Sequence, residues 1–163
     1  MAQAGPIGGD APRVLSVGRA LPPHFADQET LIAKFRSLWG QRHFNLERLE
    51  QIHRAVRVGG RHLALPLEDY DRLTSFAQRN DAFIGAAVEV GEAALRKALQ
   101  AAQLDTDQID HVYFVTVTGI ATPSIDARLM NRLKLRPDVK RTPIFGLGCV
   151  AGAAGIARAS DAL

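Results

Sequence analysis

The stretch from Asp81 to Ala102 constrains the fold most, because it predicts a long amphipathic helix with a face of small apolar residues. Apolar positions recur along it at the spacing of one helical face. They are Phe83, Ile84, Ala87, Val88, Gly91, Ala94, Leu95, Ala98, Leu99 and Ala102. Because many of these side chains are small, the helix can lie close against a flat surface such as a β-sheet.

Strand and helix signals alternate along the rest of the chain. Short apolar stretches predict strands at Val14–Val17, Arg61–Leu65 and Val112–Val117, with Ile144–Phe145 as part of another. The last two read as buried strands, since their apolar residues are continuous. Helices are predicted over Gln28–Trp39, from Asn45 to about Val56, over 69–79, and from Ser124 to about Leu135. This order predicts an α/β fold, a mixed or parallel sheet with helices on both faces.

The two ends of the sequence set the expected domain bounds. Residues 1–12 are rich in Gly, Ala and Pro, and we expect a flexible tail there. From Cys149 the composition is helical, but Leu163 is reached with no capping signal and no further strand. A sheet covered on both faces needs more chain than this. We therefore expect residues 13–163 to be the N-terminal portion of a larger domain.

Composition disfavours several classes of function. The formal net charge is +3, and the basic residues are mostly scattered, so nucleic acid is not an expected partner. No apolar run is long enough to span a membrane, and the start lacks signal-peptide features. The five His and one Cys show no metal-binding spacing, so no metal site is predicted. A single Cys forms no internal disulfide, which favours a reducing, cytoplasmic location.

The only cysteine, Cys149, follows Gly146-Leu147-Gly148, between an apolar strand and an Ala/Gly-rich helix. The unpaired N–H groups and the dipole at a helix N-terminus favour the thiolate form. The glycines leave room for a substrate carbonyl, and nearby N–H groups can stabilise an oxyanion. These features predict a nucleophile. Position alone leaves open the alternative of an inert core residue.

The segment around Cys149 resembles the nucleophile segment of type III polyketide synthases, the chalcone and stilbene synthase group of the thiolase fold; it reads RTPIFGLGCVAGAAGIAR. The preceding strand, pocket loop and helix resemble the same family; they read FVTVTGIATPSIDARLMNRLKLRPDVKR. The resemblance is specific over residues 112–158 and looser over 13–111. Within the family, the GIATPSID and GLGC forms are most similar to bacterial alkylpyrone and alkylresorcinol synthases.

The resemblance implies a thiolase-like fold and an acyltransferase mechanism without a cofactor. Cys149 would accept a starter acyl group from acyl-CoA, and malonyl-CoA would extend it by decarboxylative Claisen condensation. The full-length enzyme would be a homodimer. In the family a His and an Asn of the C-terminal half assist the cysteine, and no position here matches them. We therefore expect this chain to be inactive alone, and we interpret His111 as a structural histidine.

The resemblance also implies a substrate pocket. Val117 and Thr118 fall where family members line it, and Thr122 falls where a residue reaches into the partner's pocket. A plainer interpretation of Thr122 is a turn residue before Pro123. Gly148 would bind substrate beside the nucleophile. Val150 replaces the aromatic residue of many plant members, and this disfavours an aromatic starter.

The chain also offers a predicted CoA site at Arg48, Arg54 and Arg57. They lie in the region that the family uses to hold the CoA phosphates, and cationic side chains suit phosphate. The alternative is a solvated helix face. Two further functions stay open at this point: a β-ketoacyl synthase III-like enzyme that extends with a carrier protein, and a non-catalytic truncated fragment.

Overall fold

The computed structural model describes residues 11–40 and 45–163. Four strands lie in this part of the chain: β1 (His24–Asp27), β2 (Gly60–Leu63), β3 (His111–Thr116) and β4 (Lys140–Phe145). The α-helices are α1 (Gln28–Trp39), α2 (Leu46–Ala55), α3 (Phe76–Ala102), α4 (Ile125–Leu133) and α5 (Ala151–Ser160). The predicted tail at 1–12 lies almost entirely outside the described residues. The chain divides into two compact units, 21–86 and 87–163, the latter including the residues up to Ala20.

The 21–86 unit is an antiparallel pair, β1 with β2, accompanied by α1 and α2. The predicted cap at Asn45 is found, since its side chain accepts a hydrogen bond from the Arg48 N–H. Asp27, which was not predicted as a cap, likewise accepts one from the Thr30 N–H. The helix predicted over 69–79 is found only in part, because residues 73–75 are not helical. The chain makes a 3-10 turn at Leu67–Arg72, and α3 begins at Phe76.

The 87–163 unit is a parallel pair, β3 with β4, connected through α4. Gly155 of α5 lies against Val115 of β3, so α5 covers one sheet face. Asp126 of α4 accepts a hydrogen bond from Arg141 of β4. Because side chains alternate along a strand, Arg141 lies on the other sheet face, so α4 covers that face. The core of this unit includes Ile125, Leu129 and Leu133, which follow one face of α4. The predicted α/β class with helices on both sheet faces is confirmed.

The small face of α3 contacts α4 and the segment around Gly18. A Cβ built on Gly91 would lie 3.1 Å from Leu129 of α4. Gly18 lies so close to Ala94 and Ala98 that a Cβ there would meet the α3 backbone. The segment around Gly18, where Val14–Val17 was predicted as a strand, is irregular and packs on α3. The strand prediction is wrong because no described strand pairs with this segment; its Ser16 hydroxyl instead donates to the Ala98 carbonyl over 2.8 Å.

The expectation that β3 and β4 are fully buried is also wrong. Every residue of β3 is partly exposed, and Phe145 at the end of β4 is 57% exposed. Each strand has only one neighbouring strand within the described residues. Apolar side chains that suit a larger sheet are therefore left partly in contact with solvent.

Glu92 links α3 to α4, and this link should depend on pH. Its carboxylate accepts hydrogen bonds from Arg96 over 2.8 Å and from Arg132 over 2.6 Å. These bonds, with that of Arg96 the strongest cause, lower the pKa of Glu92 below its ordinary value of 4.5. Because the folded-state pKa is the lower one, the stabilisation is present above about pH 4.5 and is lost as the pH falls through the lowered value.

We therefore expect the urea midpoint of the wild type to decrease on acidification below about pH 4.5, and that of Glu92→Gln to decrease less steeply. Glu89→Gln is the matched control, because Glu89 is an exposed carboxylate of the same helix. Parallel acid profiles for the wild type and Glu92→Gln would contradict this account.

Candidate active site

The turn after β4 presents Cys149 to solvent. Gly146 and Gly148 have φ of 95° and 58°, in the left-handed region that favours glycine. Cys149 lies in the 3-10 turn Gly148–Val150, and α5 begins directly after it at Ala151. The predicted strand-turn-helix placement is therefore found. Cys149 is exposed, so it is not part of the core of the 87–163 unit.

The parallel pairing of β3 with β4 brings the pocket loop and the nucleophile turn to the same sheet edge. The ladder continues past the strand end, where the Gly146 N–H donates to the Thr116 carbonyl over 3.3 Å. Val117 and Thr118 follow β3 at this edge, and Gly148 and Cys149 follow β4. Val117 and Thr118 are both exposed, as residues that contact a substrate must be.

An apolar cavity of about 220 Å³ lies beside this edge. It is bounded by the two strands, the pocket loop and the first residues of α4. Its lining is Phe114, Thr116, Gly119, Ile120, Ala121, Ser124, Ile125, Pro143, Ile144 and Phe145. It exceeds the roughly 150 Å³ that suffices for a benzene-sized ligand. The cavity can therefore take a short apolar chain.

The predicted pocket residues and the cavity lining are different sets. Val117, Thr118 and Thr122 do not line the cavity, whereas Ile120 and Ala121 of the same loop do. Thr122 is exposed and precedes Pro123 in the loop. Its role toward a partner subunit stays a prediction.

The three predicted CoA-binding arginines belong to the 21–86 unit and are all exposed. Arg54 donates to Glu29 over 2.9 and 3.0 Å and lies 3.5 Å from Glu50. The hydrogen bond with Glu29 is the main cause that raises the pKa of Arg54. Arg48 and Arg57 make no ion pair with another described residue. A phosphate at Arg54 would have to compete with two carboxylates.

His111 has structural partners. One ring nitrogen, Nε2, lies 2.8 Å from the Thr142 hydroxyl, and the ring centroid lies 4.1 Å from that of Tyr113. His111 begins β3, whereas Cys149 follows the carboxyl end of β4, so the two lie toward opposite ends of the parallel pair. This supports the structural interpretation of His111.

Within residues 11–40 and 45–163, no cluster of three or more His, Cys, Asp or Glu side chains could hold a metal ion. None of the helices in this part of the chain is both long and apolar enough to cross a membrane.

The sequence alone did not predict the ion pair between Asp126 and Arg141. Asp126, in the first turn of α4, is fully buried, and its Oδ2 accepts a hydrogen bond from Arg141 over 3.0 Å. The alternation of side chains along β4 places Arg141 on the same sheet face as Pro143 and Phe145, which line the cavity. Both residues are visible in the sequence, but their pairing could be predicted only from the register of β3 with β4.

Comparison with solved structures identifies the class of protein to which this fold belongs. The fold is similar to that of 1,3,6,8-tetrahydroxynaphthalene synthase from Streptomyces coelicolor A3(2), a bacterial type III polyketide synthase; the TM-score is 0.79 at 30% identity, over 90% of this chain and 42% of that one. It is also similar to CsyB complexed with CoA-SH, with a TM-score of 0.81 at 27% identity, over 91% of this chain and 40% of that one. The chain thus has the thiolase-like fold of type III polyketide synthases.

Residues 3–163 match the family model of the chalcone and stilbene synthases, N-terminal domain, and the chain belongs to this family. It is 43% identical over 150 residues to a 1,3,6,8-tetrahydroxynaphthalene synthase of Streptomyces peucetius subsp. caesius, which covers 92% of this chain and 40% of the relative. It is 33% identical to a phloroglucinol synthase of Pseudomonas fluorescens, over 86% of this chain and 40% of the relative. The chain thus spans about two fifths of the length of these curated relatives.

Proposed function

We propose that Cys149 is the nucleophile of a type III polyketide synthase that loads an acyl starter from acyl-CoA and extends it with malonyl-CoA. The observation that carries this proposal is the exposed Cys149 at the turn after β4, at the same sheet edge as the pocket loop after β3. Membership of the chalcone and stilbene synthase family supports it.

The proposed reaction has two bond-forming steps. The Cys149 thiolate attacks the acyl-CoA carbonyl, a thioester with Cys149 forms, and the CoA thiolate leaves. Malonyl-CoA then loses carbon dioxide, and the resulting enolate carbon attacks the Cys149 thioester. The new carbon–carbon bond forms as the Cys149 thiolate leaves, and reloading of the product onto Cys149 allows the next extension.

For the product we propose an alkylpyrone or alkylresorcinol, made from a long-chain starter. The similarity of the GIATPSID and GLGC segments to such synthases and the apolar cavity beside them support an alkyl starter. A second candidate is an aromatic polyketide without an alkyl chain. The names of the relatives favour it, because neither tetrahydroxynaphthalene nor phloroglucinol carries an alkyl substituent.

We further propose that the enzyme acts as a cytoplasmic homodimer without nucleic-acid or membrane partners, and that residues 1–163 alone do not complete the catalytic set. Exposed apolar residues near Cys149, namely Phe145, Leu147 and Val150, support burial by further protein. Arg48, Arg54 and Arg57 are proposed to hold the CoA phosphates.

The proposed function is tested by offering the enzyme two alternative extender substrates. The protein expressed from its complete reading frame is given a long-chain acyl-CoA with either malonyl-CoA or malonyl-carrier protein, and products are identified by mass spectrometry. We expect products of two or more extensions from malonyl-CoA without carrier protein. A single extension that requires the carrier protein would favour the β-ketoacyl synthase alternative, and no product with either extender would favour a non-catalytic fragment.

A further inference from the structure

The Asp126–Arg141 pair joins the two elements that lead to the proposed site. Asp126 lies in the first turn of α4, directly after the pocket loop, and Arg141 lies on β4, the strand that ends at the Cys149 turn. The carboxylate is 0% exposed and the arginine side chain 37%. One carboxylate oxygen is bound by Arg141 over 3.0 Å, and the other, Oδ1, is buried with no hydrogen-bond partner among the described residues.

A buried carboxylate is costly unless a cation or donors compensate it. Since Arg141 provides the hydrogen bond to the Asp126 side chain, α4 cannot shift along β4 without leaving that charge uncompensated. The charge-assisted bond is also directional, so it fixes the position of the first α4 turn relative to β4.

The pair lies next to the cavity lining on both elements. Ile125 precedes Asp126, and Pro143 follows Arg141 by two residues on the same sheet face; both line the cavity. Ile120, Ala121 and Ser124, which lead into α4, also line the cavity. Any displacement of the first turn of α4 therefore changes the width of the cavity.

We propose that Asp126 and Arg141 are positioning residues that hold the loop-and-α4 wall over β4 and thereby set the length of acyl chain that the cavity accepts. The inference rests on the proposed function, since it assigns the cavity to the starter. Neither residue touches the reacting atoms.

The test compares Asp126→Asn, which removes the charge with little change of shape, and Arg141→Lys, which keeps the charge. Arg136→Lys is the control, because Arg136 forms exposed ion pairs with Asp110 and Asp138 in the same unit. The protein from the complete reading frame is incubated with acyl-CoAs from acetyl-CoA to palmitoyl-CoA, and acyl transfer to Cys149 is measured by mass spectrometry. Circular dichroism establishes that each variant is folded.

We expect the ratio of long-chain to acetyl transfer to differ about tenfold between Asp126→Asn and the wild type. This factor corresponds to the discrimination that a pocket achieves between substrates differing by one or two methylenes. Arg141→Lys should change this ratio by a smaller factor, and Arg136→Lys should keep the wild-type ratio. A wild-type ratio in folded Asp126→Asn would overturn the proposal, because a merely structural pair affects stability without affecting the ratio. If Asp126→Asn does not fold, the same ratio is measured for Arg141→Lys instead. A ratio equal to that of the wild type in this variant would then overturn the proposal.

Binding of cis-parinaric acid, followed by its fluorescence, separates this inference from the proposed function. If no acyl-CoA labels wild-type Cys149, the proposed function fails, and the probe alone then decides the role of the pair. Weaker binding to Asp126→Asn than to Arg136→Lys would support positioning. Equal binding, or no binding to the wild type, would overturn it.

Discussion

Replacement of Cys149 by alanine should abolish the conversion of malonyl-CoA into polyketide. Loss of the nucleophile removes the covalent intermediate on which each extension depends, so we expect a decrease in turnover of roughly four orders of magnitude or more. Cys149→Ser should also be severely impaired, because a hydroxyl is not ionised at neutral pH. The measurement is product formation per mole of protein, with the variants and the wild type expressed from the complete reading frame.

Alkylation of Cys149, followed on the peptide that contains it, provides a control for this result. Iodoacetamide should modify Cys149 in the folded wild type, since the side chain is exposed, and should block turnover in proportion to labelling. Retained turnover in Cys149→Ala, or full turnover after stoichiometric labelling of the Cys149 peptide, would contradict the assignment.

Filling the cavity should shorten the acyl starters that the enzyme accepts. Ala121 lines the cavity, and Ala121→Phe would occupy space otherwise available to the chain. Each buried methylene contributes about 0.8 kcal/mol, so exclusion of several should decrease long-chain transfer about 100-fold or more. Transfer of short acyl groups to Cys149 should change little. The measurement is the transfer profile across acyl-CoAs of increasing length.

Thr122→Phe is the matched substitution, because Thr122 is next in sequence but does not line the cavity. If Thr122 reaches into a partner's pocket, as the family resemblance implies, this variant should also shorten the accepted starters. If Thr122 is only a turn residue, its profile should match that of the wild type. Unchanged profiles in both variants would remove the support for a long-chain starter.

Local signals in the sequence sufficed to predict much of the fold. Asn45 caps α2 with a side-chain hydrogen bond to the N–H of Arg48, three positions later, and such a cap is visible in sequence. The turn at Cys149 was predictable because glycine at Gly146 and Gly148 permits positive φ. In each case the interacting residues are neighbours in sequence.

Features that depend on distant residues could not be predicted in this way. Val14–Val17 has strand composition, yet this segment packs on α3 because Gly18 permits close approach to Ala94. Phe145 was expected to be buried, but burial depends on elements beyond β3 and β4. The Asp126–Arg141 pair joins residues that come together only when β4 pairs with β3. The cavity likewise depends on that pairing.

The most direct test of the account is the detection of a covalent acyl group on Cys149. The protein from the complete reading frame is mixed with a long-chain acyl-CoA without malonyl-CoA, quenched in acid, digested and sequenced by mass spectrometry. The account predicts the acyl mass on the peptide that contains Cys149, its absence from Cys149→Ala, and its loss when malonyl-CoA is added after the unreacted acyl-CoA has been removed. An acyl group on another residue, or equal labelling of Cys149→Ala, would contradict it.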